Sequence, residues 1–365
     1  MKGLFFLNPH PYFIMFLIRK TVFYTLLFCF LILVLCSDAV AQTSTQTAEE
    51  PIAELLTERL KSEHFSIGFL LQSRGSASFR DNAFLGGHSY DLGSTRIDFR
   101  GTIDRGFTYR VRIYFLSQQQ SIDARVGYRF NERTHFIAGA FKPFMSRELD
   151  PSPGRIDFVN RARLVGAMMN TLEIGASLLG EAGDFKYRVG MYNGTGTRAI
   201  TEQNDNRFLY TARLSWHKES GSNTFEIGGN AAINQSRNEI VGNTGLTSEK
   251  NRVLYGGYFL YRGDVLFSTT EFMQSRFNAI EFNENRETIN GFYTTLGVIL
   301  DKRNELLARW DHLSFDLRDN ASERLILGWN YYPTSLVSFR VNLITEFGGG
   351  LPQQYGAAAV FQFMF

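Results

Sequence analysis

The sequence predicts an all-β fold: a transmembrane antiparallel β-barrel of about 16 strands, with a long third loop folded into its lumen. Three observations predict it. From His64 to the C-terminus, apolar residues alternate with polar or charged ones at a period of two, so one face meets an apolar medium and the other a polar one. Short polar connections alternate along the chain with long ones, the pattern of periplasmic turns and outer loops. The chain ends in mid-strand on "YGAAAVFQFMF", with Tyr355, Ala357, Ala359, Phe361, Phe363 and Phe365 on one face. In lipid a sheet must close on itself to satisfy every backbone group, so the apolar face implies a barrel. Composition agrees: 15% aromatics, 33 Gly and 8 Pro in 365 residues suit β structure and are too polar for a helical membrane protein.

The elements follow in order. Arg19 and Lys20 precede the apolar run "TVFYTLLFCFLILVLC", and "DAVAQ" supplies small residues at Ala39 and Ala41. Residues 1–41 therefore read as a signal peptide cleaved near Ala41, with an uncleaved signal anchor as the alternative. Both cysteines, Cys29 and Cys36, fall within it, so the mature chain has no thiol for a disulfide, a zinc site or nucleophilic catalysis. Cleavage leaves 35 basic and 35 acidic residues, so any ionic preference must come from where charges sit. Residues 42–63 form a short periplasmic segment in which "PIAELLTERLK" is helical, and residues 64–365 are the barrel.

Within the barrel, "RIDFRGTID" places Ile97, Phe99 and Ile103 against Arg96, Asp98 and Arg100. "FTYRVRIYF" places Phe107, Tyr109, Val111, Ile113 and Phe115 against Arg110 and Arg112, and "IDARVGYRF" sets Ile122, Val126 and Phe130 against Asp123, Arg125 and Arg129. "FKYRVGMY" and "RFLYTARLSW" repeat the device with Lys186, Arg188, Arg207 and Arg213. Seven short connections, at 104–106, 131–133, 181–184, 218–223, 262–264, 301–304 and 333–335, with both ends on the periplasmic side, give sixteen strands. Longer polar stretches lie at Gly75–Ser89, Pro143–Asn170, Asn193–Asn206, Gln235–Asn251 and Ser275–Thr288. Register stays open in "VLYGGYFLY" and "GFYTTLGVIL", where both faces are apolar, so fourteen or eighteen strands also fit. A barrel this wide holds water, which makes it a pore.

The polar face is rich in arginine. Arg96, Arg100, Arg110, Arg112, Arg125, Arg129, Lys142, Lys186, Arg188, Arg207, Arg213, Arg309 and Arg340 turn inward, against fewer acids: Asp98, Asp123, Glu173, Glu226, Glu271, Glu305 and Asp311. Guanidinium keeps its charge and suits phosphate and carboxylate, so Arg96, Arg100, Arg110, Arg112, Arg125, Arg129, Lys142, Arg188 and Arg213 mark an anion pathway. The other reading is that these arginines pair with luminal carboxylates and only solvate the wall. The longest loop, "MSRELDPSPGRIDFVNRARLVGAMMN", carries Arg147, Arg155, Arg161 and Arg163 and is the candidate constriction.

"GAFKPF" (Gly139–Phe144), the arginine-bearing loop after it, "YRVGMYNGTG" (Tyr187–Gly196), "LGWNYYP" (Leu327–Pro333) and the terminal phenylalanine resemble the phosphate-selective porin O and P family over about His64 to Phe365. The resemblance implies a sixteen-stranded trimeric outer-membrane porin whose third loop narrows the channel, and an arginine ladder leading anions to a basic constriction. By position, Lys142 and the loop arginines belong to that constriction. With only six lysines after residue 41, the lysine-rich vestibule of a phosphate-specific member is missing.

The competing reading is a non-porin outer-membrane barrel, a surface enzyme or an adhesin. His64, His88, His135, His217 and His312 are scattered and stand in no nucleophile-elbow or zincin context. His135 and His312 are expected on the lipid face near strand ends. No catalytic residue, metal site or cofactor is expected. The expected partners are outer-membrane lipid, the barrel-insertion machinery acting through the strand ending in Phe365, two further copies in a homotrimer, and small anionic solutes, with no nucleic acid.

Overall fold

The computed structural model of the chain describes residues 50–81, 84–115, 122–196, 206–235, 237–349 and 351–365. The signal peptide, with Cys29, Cys36 and the cleavage position, lies outside the described residues. Of the first compact unit, residues 1–52, only the start of helix α1 (Glu50–Leu60) is described, and the strands and loops all belong to the second unit, residues 53–365. Helix α1 coincides with the stretch expected to be helical.

Period-two sequence becomes a continuous antiparallel wall. Its strands are β1 (Ser66–Ser78), β2 (Ser89–Asp91), β3 (Arg96–Thr102), β4 (Phe107–Tyr114), β5 (Ile122–Arg129), β6 (Thr134–Phe141), β7 (Glu173–Ala182), β8 (Phe185–Tyr192), β9 (Leu209–Ser220) and β10 (Asn223–Asn234). A small hairpin, β11 (Glu239–Ile240) with β12 (Thr247–Ser248), interrupts. The wall then resumes with β13 (Arg252–Arg262), β14 (Leu266–Ala279), β15 (Asn285–Ile299), β16 (Asn304–Phe315), β17 (Asn320–Tyr331), β18 (Val337–Gly348) and β19 (Leu351–Met364). β2 and β3 share one place beside β1, and β10 pairs directly with β13, so the wall has sixteen positions. It closes where β1 pairs with β19, Leu70 opposite Met364 and Ser78 opposite Gly356. Closure removes the free edges whose unpaired amides and carbonyls would be costly in hydrocarbon. The last strand has partners on both sides, and Phe365 exchanges two 3.1 Å backbone hydrogen bonds with Phe69.

All seven short connections join strands as expected. The stretch 275–288 does not form a long loop. β14 and β15 run on through it, pairing Ala279 with Asn285, and leave only residues 280–284 as the connection. Polar side chains misled here because they sit on extended, paired strands, as with Asn278, which lies opposite Arg286 and whose Nδ2 donates to Glu284 O at 2.7 Å.

Large apolar side chains stand exposed on one face throughout: Val126 is 59% and Leu296 61% accessible, values that make sense only in an apolar medium. Near the C-terminal end of the wall this face carries stacked rings, Trp329 on Tyr331 on Phe339 on Phe361, with the last pair 4.7 Å apart. Among the described residues no helix is long and apolar enough to cross a membrane.

The opposite face has its own apolar core, which explains the two ambiguous strands. Leu254, Met273, Ile289 and Tyr293 point away from the lipid face yet are almost fully buried, because helix α2 (Arg163–Met168) packs on them. Gly291 permits that approach: a Cβ there would lie 2.5 Å from the Leu164 Cβ. Both faces of these strands are apolar because one meets lipid and the other meets protein.

Candidate pore and its loop

The segment between β6 and β7 is hydrogen-bonded to one strand after another, on the face opposite the exposed apolar side chains. Glu271 on β14 is fully buried and accepts three hydrogen bonds, from Ser146 Oγ (3.0 Å), Arg147 N (2.9 Å) and Glu148 N (3.0 Å). Glu148 accepts in turn from Arg309 on β16 (3.1 Å) and from Ala162 N (3.0 Å). The Arg309 guanidinium lies between the rings of Phe158 and Tyr293, at 4.3 and 4.8 Å. Further round, Asn330 on β17 donates to Asp157 O, Val159 N donates to Asn342 on β18, and Gln362 on β19 and Gln72 on β1 donate to the carbonyls of Gly154 and Pro153. These contacts join the loop to six strands: β14, β16, β17, β18, β19 and β1.

The predicted loop arginines take different parts in this. Arg163 donates to Asp311 Oδ1 (3.2 Å), Glu346 Oε1 (3.1 Å), Ser322 Oγ (2.6 Å) and two carbonyls, so it fastens the loop to β16, β17 and β18. Arg161 donates to the carbonyls of Glu148 and Pro151, bracing the loop's own turn, and burial lowers its pKa. Arg147 contributes its backbone amide to Glu271, and its side-chain Nε is buried with no partner among the described residues. Arg155 alone of the four is exposed, and it faces the large cavity.

The loop expected at Gln235–Asn251 packs on α2 through residues 239–246, a contact that was not anticipated. Val241 and Leu246 are fully buried against it. Asn243 N donates to Gly166 O at 2.8 Å, and Arg252, itself buried, joins Glu239 (2.7 Å) to Met168 O (2.7 Å). Gly242 has φ +53, and a Cβ there would meet Gly166 O at 2.2 Å.

The loops leave open a cavity of about 1330 Å³ against β1 and β3–β6. It gathers Arg96, Arg100, Arg110, Arg112, Arg125, Arg129, Lys142 and Arg155, eight of the thirteen residues singled out in sequence. Arg188 and Arg213 are drawn off it by Asp150 of the loop, at 3.2 and 2.7 Å. Part of the basic set is paired: Asp98 bonds Arg110 and Arg112, and Asp123 bonds Arg112 at 3.0 Å. Arg96, Arg100, Arg125, Arg129 and Arg155 form no ion pair among the described residues. Arg96 is buried, 5.6 Å from the Tyr114 ring, and its Nη1 has no hydrogen-bond partner there. Lys142 Nζ donates to the carbonyls of Leu149 and Pro151, both at 2.8 Å. Burial first, then the charges of Arg161, Arg96 and Arg112, lower its pKa to about 6.

His135 corrects the expected register of β6. It pairs with Arg129 across the ladder and lines the cavity, while Phe136 takes the lipid side. "THFIAGAF" has apolar residues on both faces, so alternation did not decide it. His312 does stand on the lipid side with Trp310, its Nδ1 2.6 Å from Glu323.

Residues 86–293 match the family described as phosphate-selective porin O and P. The chain belongs to this family. The porin's fold is similar to that of the anion-selective porin from Comamonas acidovorans, with a TM-score of 0.62 at 12% identity, covering 82% of this chain and 99% of that one. It is also similar to OmpT of Vibrio cholerae (TM-score 0.60, 13% identity, 84% of this chain and 99% of that one). A third likeness is to the outer-membrane channel DcaP of Acinetobacter baumannii (TM-score 0.57, 9% identity, 84% and 99%). No curated protein sequence matches. The porin is thus a sixteen-stranded outer-membrane channel.

Proposed function

We propose that this porin is a water-filled diffusion channel that prefers small anions. The loop between β6 and β7 crosses its lumen as the constriction, and Arg96, Arg100, Arg110, Arg112, Arg125, Arg129, Lys142 and Arg155 form the basic side of the route. The observation that carries this reading is the charge balance of the side chains around the large cavity: nine lysines and arginines against five aspartates and glutamates. With Lys142 neutral above pH 6, the basic excess at neutral pH is smaller but still positive. Several cations that face each other across little water bias passage more than their single-charge value in bulk, about 1 kcal/mol at 4 Å. The family's name and the anion selectivity of the Comamonas porin point the same way.

Arg188, Arg213, Arg147, Arg161 and Arg163 act differently in this reading: they hold the loop in place and so set the size of the opening. The chain reaches the outer membrane after cleavage near Ala41. Its last strand, ending in Phe365, is read by the insertion machinery, and three copies assemble. One related structure, of OmpT, is a trimer form. The test is reconstitution into planar bilayers under a KCl gradient, comparing wild type with the triple change Arg100→Gln, Arg125→Gln and Arg129→Gln. The reading expects an anion-selective wild type and a variant of similar conductance with reduced or lost anion preference. Equal reversal potentials would remove the wall arginines from the mechanism.

A further inference from the structure

The face of the wall turned away from the lumen is apolar over most of its height, but not at the outer ends of β13–β16. Leu266, the first residue of β14, is 53% exposed on this face, beside a short turn. Arg276 lies ten residues further along the same face. At about 3.3 Å per residue and a tilt of about 40°, that is a rise of about 25 Å, the full height of a barrel's apolar band. Arg276 therefore stands at the outer boundary between membrane and water. Arg286 on β15 stands one step further out, because Arg276 pairs with Thr288 and Asn278 with Arg286. The two arginines are diagonal neighbours across the ladder, about 7–8 Å apart at their backbones.

Below them the polar side chains satisfy one another. Tyr255 donates to Gln274, Gln274 to Asn290, and Asn290 to Ser314 at 3.5 Å, a strip across four strands. The arginines have no such partner: among the described residues neither forms an ion pair or a hydrogen bond, and Arg276 only lies over the Tyr255 ring at 5.7 Å. The acids of the nearby loop tips are engaged elsewhere. Lys250 holds Glu249 and Glu284, at 3.2 and 3.3 Å, and Glu281 accepts from Thr247 N at 2.9 Å. On the described strands the one other lysine or arginine on this face is Lys218, at the opposite rim, paired with Asp184 at 3.1 Å.

We propose that Arg276 and Arg286 together bind the headgroup of a phosphorylated lipid in the outer leaflet, whose acyl chains lie along Phe272 and Phe292 beneath them. A lipid headgroup carries its phosphate at the depth these side chains occupy, and a guanidinium fork bonds phosphate oxygens in pairs. Phe272 and Phe292 pair across β14 and β15, and Phe292 meets the Trp310 ring at 5.5 Å, which gives the chains a continuous apolar wall. A second copy of the chain fits this face less well. The one carboxylate that the described strands turn to it, Glu323, is already held by His312 Nδ1 at 2.6 Å and by Trp310 Nε1. The site requires the barrel to stand in the outer membrane and is independent of which ions pass through it.

The experiment is native mass spectrometry of the folded full-length porin released from detergent. It is titrated with lipid A, a diphosphorylated glycolipid, and with the same lipid stripped of its phosphates. Wild type should bind lipid A saturably, and the stripped lipid roughly tenfold more weakly or worse. Arg276→Gln combined with Arg286→Gln should weaken lipid A binding by the same factor, and Arg276→Lys with Arg286→Lys should restore most of it. Neither side chain bonds to the wall or the loop, so all these barrels should stay folded, which heat-modifiable migration checks. Inorganic phosphate at the same concentration should not displace the lipid. Equal affinity for the two lipids, wild-type affinity in the glutamine pair, or displacement by free phosphate would overturn the site. So would a glutamine pair that binds lipid A as wild type does but loses subunit association, because this face would then be a contact between copies.

Discussion

Replacing Arg163 with methionine distinguishes a loop fastener from a selectivity charge. The side chain makes five hydrogen bonds to β16, β17 and β18, including ion pairs with Asp311 and Glu346. The Asp311 carboxylate is only 2% exposed, so methionine leaves it buried with a single donor, the Arg163 backbone amide. Breaking one side of a buried pair costs about 3–5 kcal/mol. The wall ladders do not depend on this side chain, so the loss falls on docking of the loop. Even about 3 kcal/mol shifts its docked-to-undocked ratio by roughly a hundredfold. The assay is single-channel conductance in planar bilayers at high salt, where screening suppresses the effect of the lost charge itself. Arg163→Met should conduct more than wild type while still migrating as a folded, heat-modifiable barrel. Unchanged conductance together with weakened anion preference would refute this, because Arg163 would then act through its field and not through the loop.

Other outcomes rest on the same geometry. Glu271→Ala deprives three buried loop donors of their acceptor, and Glu271→Gln keeps part of the set. Conductance should rise in the order wild type, Gln, Ala, and the reverse order would contradict the anchor. Val126→Arg on the lipid face should destabilise the barrel by about 2–4 kcal/mol at mid-membrane, measured by urea unfolding in lipid, while Arg129→Gln on the opposite face should cost little; equal losses would mean the register is off by one. Lys142, depressed to about 6, is neutral at pH 8 and charged at pH 5, so anion preference should be stronger at pH 5. Because the unfolded chain keeps this proton up to the ordinary lysine value of 10.5, Lys142 makes folded stability rise with pH between about 6 and 10.5. The selectivity change should vanish in Lys142→Gln and survive in His135→Gln; its persistence in Lys142→Gln would contradict the assignment.

The barrel was legible because its code is local. Alternation such as Phe107/Arg110/Val111/Arg112 states which medium each face meets, and the turn spacing counts the strands. The basic wall was legible for the same reason, since Arg96 to Arg129 lie on strands that pair in sequence order. Reading failed where the inner face is not wet. Leu254, Met273 and Tyr293 are apolar and turned inward because α2 covers them, which no two-residue period reveals. The loop arginines look alike in sequence, but Arg163 finds Asp311 and Glu346, Arg161 finds carbonyls and Arg155 finds open space. The partners of Arg163 lie far along the chain, on strands that the loop meets only once it has docked.

The most direct single measurement is the zero-current potential of wild-type porin across a KCl gradient at neutral pH, repeated at low and high mean salt. A channel whose basic cavity faces the permeating ions gives a potential of the sign set by chloride, and the potential shrinks as salt shortens the screening length from about 30 Å at 0.01 M to about 3 Å at 1 M. A potential of the sign set by potassium, at either salt, would contradict it.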